Sequence, residues 1–154
     1  MADKLLDFLN ENQEECLTIF FASNGGESSV QRALTCAIND HQDRITLVAT
    51  GELFSAGFKL FFSVNCARAI LNGAIGLSHY SRLGDVDITS DGKPGTHWQS
   101  QWVKELQAYK HAEEEFLEKL GANKKEMKAF KTGGDACFSA DRMRKFLESQ
   151  EPVF

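Results

Sequence analysis

Cysteine is sparse and scattered in this 154-residue chain: Cys16, Cys36, Cys66 and Cys137 stand singly, with no CxxC pair and no Cys/His cluster able to surround zinc. A disulfide framework and a structural metal site are therefore not expected, and the four thiols read as reduced, small apolar residues. Basic residues are also short, 17 Lys+Arg against 22 Asp+Glu for a formal charge of −5, and no basic block marks a nucleic-acid footprint. No nucleic-acid partner is expected. No apolar run approaches the ~20 residues needed to span a bilayer, and the polar opening Met1-Ala2-Asp3-Lys4 lacks the apolar core of a signal peptide. The expected compartment is the cytoplasm, with no membrane partner. GxxxxGK[ST], GxGxxG after a strand and HExxH are all missing, so no cofactor and no metal are expected.

What is present is ordinary globular material, 42% hydrophobic and 25% charged, with no internal repeat, and its length predicts a single domain over residues 1–154. Residues 4–13 place Leu5, Leu6, Phe8 and Leu9 at helical spacing. Residues 16–21 are a short apolar run rich in β-formers that ends in the turn Ala22-Ser23-Asn24-Gly25-Gly26. Ser28 or Ser29 can cap a helix carrying Val30, Ala33, Leu34, Ala37 and Ile38, and residues 45–50 read as a second buried strand. A further helix starts near Ser55, and two short apolar segments, 67–71 and 74–78, follow with Asn72-Gly73 between them. Strand, helix, strand, helix, strand in this order predicts an α/β fold, a mostly parallel sheet flanked by helices. Residues 84–96 look like a polar loop, a long helix runs from Trp98 to Leu120 with Gly121 placed to end it, and residues 124–130 and 140–147 suggest two shorter helices.

Three groups could carry chemistry. Ser55 follows a strand and opens a helix, so its hydroxyl would sit beside free backbone amides at the positive end of a helix dipole. That suits an acyl-transfer nucleophile, whose oxyanion could take the amide of Ala56 and a second amide from the Gly25-Gly26 turn. The bland alternative is a serine that merely caps its helix. His79 ends an apolar strand, where an imidazole could accept the serine proton and return it to the leaving group. Asp135 lies in the glycine-rich loop 132–140 and could fix the imidazole tautomer. The α/β-hydrolase pattern GxSxG fits poorly, since position 53 is leucine and the order is Ser, His, Asp. Lys59, four residues after Ser55, would serve a Ser/Lys dyad only if buried.

Taken together, the segments resemble the proteolytic subunit of the Clp protease and the wider ClpP/crotonase-like superfamily. Phe21-Ala22-Ser23-Asn24-Gly25-Gly26 is similar to the family's strand-end Asn-Ser-Pro-Gly-Gly, and residues 48–57 resemble the segment bearing its nucleophilic serine. Residues 66–73 resemble its basic and apolar stretch before Pro-Asn-Ala, Ile75-Gly76-Leu77-Ser78-His79 the strand ending in its histidine, and Asp135-Ala136-Cys137-Phe138-Ser139-Ala140 its acid-bearing loop. The resemblance implies a fold of repeated β-β-α and βα units with a long handle helix in the C-terminal half, residues 84–131 forming the handle-like part. It implies a serine endopeptidase with Ser55 as nucleophile, His79 as general base, Asp135 as orienting acid and the amides of Gly26 and Ala56 as oxyanion donors. An extended peptide or unfolded protein would bind beside Gly25 by strand-like pairing, and the protein would be a homo-oligomer. About fifteen residues precede the first strand, so docking to an unfoldase ATPase is not carried over. The alternatives are a catalytically inactive assembly protein of the same fold and, more remotely, a crotonase-type acyl-thioester enzyme reusing the two amides.

Overall fold

In a computed structural model the described residues are 2–12, 15–79 and 97–149; the loop expected at 84–96 lies outside them. They form a mixed α/β protein with a mostly parallel five-stranded sheet flanked by helices. The chain divides into two compact units, Met1–Ser78 with Cys137–Phe154, and His79–Ala136.

The first unit is organised by one long strand. Helix α1 (Ala2–Glu11) leads to β1 (Leu17–Ser23), α2 (Ser28–Asp40) crosses over, and β2 (Ile45–Phe54) runs parallel to β1. Strand β2 buries Ile45, Leu47, Val48, Ala49 and Leu53, the near-continuous apolar pattern of a strand covered on both faces or flanked closely on both sides. After α3 (Ala56–Ser63), β3 (Ala67–Ile70) and β4 (Ile75–Ser78) share the other edge of β2. β3 pairs with its first half, Thr46 to Ala49, and β4 with its last residues, Glu52 to Phe54. Asn72-Gly73 makes the step between them, with Gly73 at φ 87°. β5 (Ala136–Ser139) lies next to β4, and α6 (Ala140–Ser149) follows it.

The core sits between the sheet and α3 and α6. Phe58 of α3 stacks on Phe138 of β5 with ring centroids 5.5 Å apart, and meets Phe62 at 4.9 Å. Phe62 in turn meets Phe146 of α6 edge-on at 5.6 Å, so one aromatic cluster joins three elements far apart in sequence. Arg144 of α6 donates to the carbonyl of Ile70 at 3.0 Å, closing α6 onto the end of β3. At the periphery, the Arg44 guanidinium donates to the carbonyls of Leu9 (2.8 Å), Glu15 (3.1 Å) and Asn12, holding the C-terminal end of α1, where a cation complements the helix dipole.

The second unit contains α4 (His97–Lys119) and α5 (Lys124–Lys131), which pack on each other. Gly121, at φ 85°, ends α4 as its position in the sequence predicts, its amide bonding Glu118 O and that of Ala122 bonding Leu117 O. Asn123 and Glu126 then form a capping box for α5. Leu117, Leu120, Met127 and Phe130 are buried, and Lys131 pairs with Glu114 at 2.9 Å.

Three local expectations change. β2 continues through Gly51 to Phe54, because β4 offers it a second partner beyond residue 50. Residues 136–139 of the expected loop 132–140 are a strand: Ala136 and Phe138 face inward and Cys137 and Ser139 outward, a two-residue period too short to recognise in isolation. α2 is preceded by Glu27, which makes no side-chain cap bond, so neither Ser28 nor Ser29 caps it.

Two measurements check this packing. A Cβ on Gly76 would collide with Phe58 Cε2 and lie 2.8 Å from Met143 Sδ, so Gly76→Ala should destabilise the chain, read from its urea midpoint. The expected cost is about 2 kcal/mol. Cys16, Cys36 and Cys137 are exposed whereas Cys66 is 4% exposed, and burial pushes its thiol up despite nearby Arg68. Iodoacetamide under native conditions at pH 8 should therefore modify three thiols readily and Cys66 only on unfolding.

Candidate active site

Ser55 occupies the tight turn between β2 and α3. It is the only non-glycine residue with a positive φ among the described residues, at φ 53° and ψ −119°. Such a conformation costs on the order of 1–3 kcal/mol and persists only where its surroundings impose it. An ordinary helix cap has an extended backbone and a side chain bonded to an early helical amide. Ser55 has neither, since it makes no side-chain cap bond. The capping alternative therefore does not describe this residue.

Three contacts impose the turn. The Ser55 amide donates to Leu77 O of β4 at 2.8 Å, fixing its backbone to the neighbouring strand. The Ser55 carbonyl accepts from Lys59 N at 3.1 Å, the first intrahelical bond of α3. On the third side lies the glycine turn after β1. A Cβ on Gly25 would stand 2.8 Å from Ser55 Cβ, 3.0 Å from Phe54 O and 3.4 Å from Ser55 Oγ, so only glycine fits there. Gly25 also has φ 100° and Gly26 φ 150°, both unfavourable for other residues.

This approach depends on a bulge. Phe21 pairs with Ala49 but Ser23 pairs with Leu53, so β2 spends four residues where β1 spends two. In an unbroken register Ser23 would face Gly51, and the glycine turn would fall short of Ser55 by about two residues, roughly 6–7 Å. The bulge instead brings Gly25 level with Ser55.

The start of α3 supplies donors. Helix geometry leaves the Ala56 amide without an intrahelical acceptor, and it lies at the positive end of α3. At the other end Arg68 donates to the carbonyls of Phe61 (3.3 Å) and Phe62 (3.2 Å), and burial holds its guanidinium below the usual arginine range. The GxSxG pattern is half present. Leu53, two residues before the serine, is fully buried in the core, while Gly57, two residues after, is required: a Cβ there would lie 2.6 Å from Ser23 Cβ and 2.7 Å from Ser23 Oγ.

Ser55, Gly25, Gly26 and Ala56 thus fall together in the first unit. His79 directly follows β4, one residue beyond buried Ser78, and is partly exposed; it begins the second unit. Asp135 is exposed and directly precedes β5, at the other end of that unit. Lys59 is only partly buried, one turn into α3. Sequence reasoning assigned no role to Ser23 or to Gly57, though a small residue two places after a candidate nucleophile was a readable signal. Among the described residues no group of three or more His, Cys, Asp or Glu side chains could hold a metal ion, and no helix is long and apolar enough to cross a membrane.

Fold and turn together define a mixed α/β protein with a strained serine at a strand-to-helix turn. No protein-family model matches this chain, and no curated protein matches it.

The strain is measurable. Ser55→Gly and Ser55→Ala both remove the hydroxyl, but only glycine relaxes a backbone at φ 53°. The glycine variant should be the more stable of the two by about 1 kcal/mol in chemical denaturation.

Proposed function

We propose that this chain is a serine peptidase resembling the Clp protease proteolytic subunit, acting through Ser55, His79 and Asp135. The observation that carries the reading is Ser55 itself: an otherwise forbidden backbone, maintained at a strand-to-helix turn, with a glycine backbone pressed against its side chain. Strain of this kind serves no packing purpose that a glycine at position 55 would not serve better.

In this reading Ser55 Oγ attacks the peptide carbonyl carbon while His79 takes the hydroxyl proton. The carbonyl oxygen becomes an oxyanion held by the amides of Gly26 and Ala56. His79 then gives its proton to the leaving amine as the C–N bond breaks, leaving an acyl-enzyme on Ser55. Water, deprotonated by His79, attacks the ester and releases the acid, restoring the serine. Asp135 holds the imidazole in the tautomer that presents its basic nitrogen to Ser55. An extended peptide pairs with the backbone beside Gly25, which suits an edge strand such as β1. The family resemblance extends the proposal to a homo-oligomer, with α4 as its handle.

A fluorophosphonate tests the nucleophile directly, because it phosphonylates an activated serine and adds a fixed mass. One adduct per chain is expected, located on Ser55, absent in Ser55→Ala and formed at least 100-fold more slowly in His79→Ala. A folded protein that takes no adduct would overturn the peptidase in favour of a catalytically inactive relative.

A further inference from the structure

We infer that Ser23 is a positioning residue of the oxyanion site, setting the glycine turn through its hydroxyl. The inference rests on the reading of Ser55 as nucleophile. Ser23 is the last residue of β1, just beyond the bulge, and its hydroxyl oxygen accepts the Gly25 N–H at 3.2 Å. The same side chain lies against the first turn of α3, where a Cβ on Gly57 would meet Ser23 Oγ at 2.7 Å. One side chain therefore touches both backbone segments that supply the proposed oxyanion donors, Gly26 on one side and Ala56 on the other.

The bond has two consequences. It occupies the Gly25 amide, so the turn offers Gly26 as its donor. It also restrains a Gly-Gly pair whose φ values, 100° and 150°, leave an unrestrained backbone many alternatives. An oxyanion donor acts only when held in place before the reaction, so loosening the turn weakens transition-state binding and leaves ground-state binding of the peptide largely intact. The hydroxyl, rather than the bulk of the side chain, carries the effect.

The test uses the full chain with a short N-acyl peptide nitrophenyl ester and, in parallel, the fluorophosphonate. Ser23→Ala should lower kcat about 10- to 100-fold with KM changed by less than about twofold, while Ser23→Thr, which keeps the hydroxyl, should remain within about threefold of the parent. A Ser23→Ala protein with parental kcat, or a loss that Ser23→Thr fails to restore, overturns the role of Ser23. Absence of a Ser55 adduct in the parent protein overturns the nucleophile and this inference with it, which keeps the two failures distinct. Should Ser23→Ala not fold, amide exchange in the parent decides: a Gly25 amide slower to exchange than Gly26 supports the bond, and equal rapid exchange of both overturns it.

Discussion

Everything distinctive about this molecule depends on the close approach of two chain segments, each of which sets a glycine against a serine of the other. The turn after β1 presses Gly25 against Ser55, and the first turn of α3 presses Gly57 against Ser23. Both gaps are too narrow for a methyl group, so the two glycines are a steric requirement of the approach rather than a feature of either turn alone. The bulge between β1 and β2 is what makes the contact possible, by adding two residues to one strand so that its end draws level with its neighbour's.

That approach is held against a local cost. Ser55 adopts a backbone conformation that an isolated serine would abandon, and its environment compensates from three directions: a hydrogen bond to Leu77, the onset of α3, and the aromatic cluster anchored one turn further along at Phe58. Phe58 is fully buried against Phe138 and Phe62, so α3 cannot rotate to relax Ser55 without opening the core. The core and the candidate site are therefore mechanically one object. The strain is local, and the packing that maintains it comes from residues as distant as Phe138 and Phe146.

Much of the architecture was legible in the residue pattern. The alternation of β-rich apolar runs with helical periodicities places β1, β3, β4, the start of α3 and the other five helices close to their observed limits, and Gly121 and Asn72-Gly73 announce their turns. β5 was not legible, because four residues cannot display a period convincingly and their glycine-rich approach reads as loop. The continuation of β2 past residue 50 was likewise hidden, since it depends on a partner strand more than twenty residues away. At the site, Ser55, Gly25, Gly26 and Ala56 could be nominated from chain order. The positive φ of Ser55 and the part played by Ser23 could not, since Ser23 is otherwise an unremarkable strand-end hydroxyl.

By itself, then, the sequence determined every element but β5, their order and the presence of a serine between a strand and a helix, since these follow from local periodicity, turn residues and steric preferences of single residues. Tertiary structure alone decided the register shift, the pairing of β2 with two successive strands on one edge, and the conformation of Ser55. Register and strain arise from contacts between segments tens of residues apart, whose energies exceed any local preference and leave no trace in the order of residues around them.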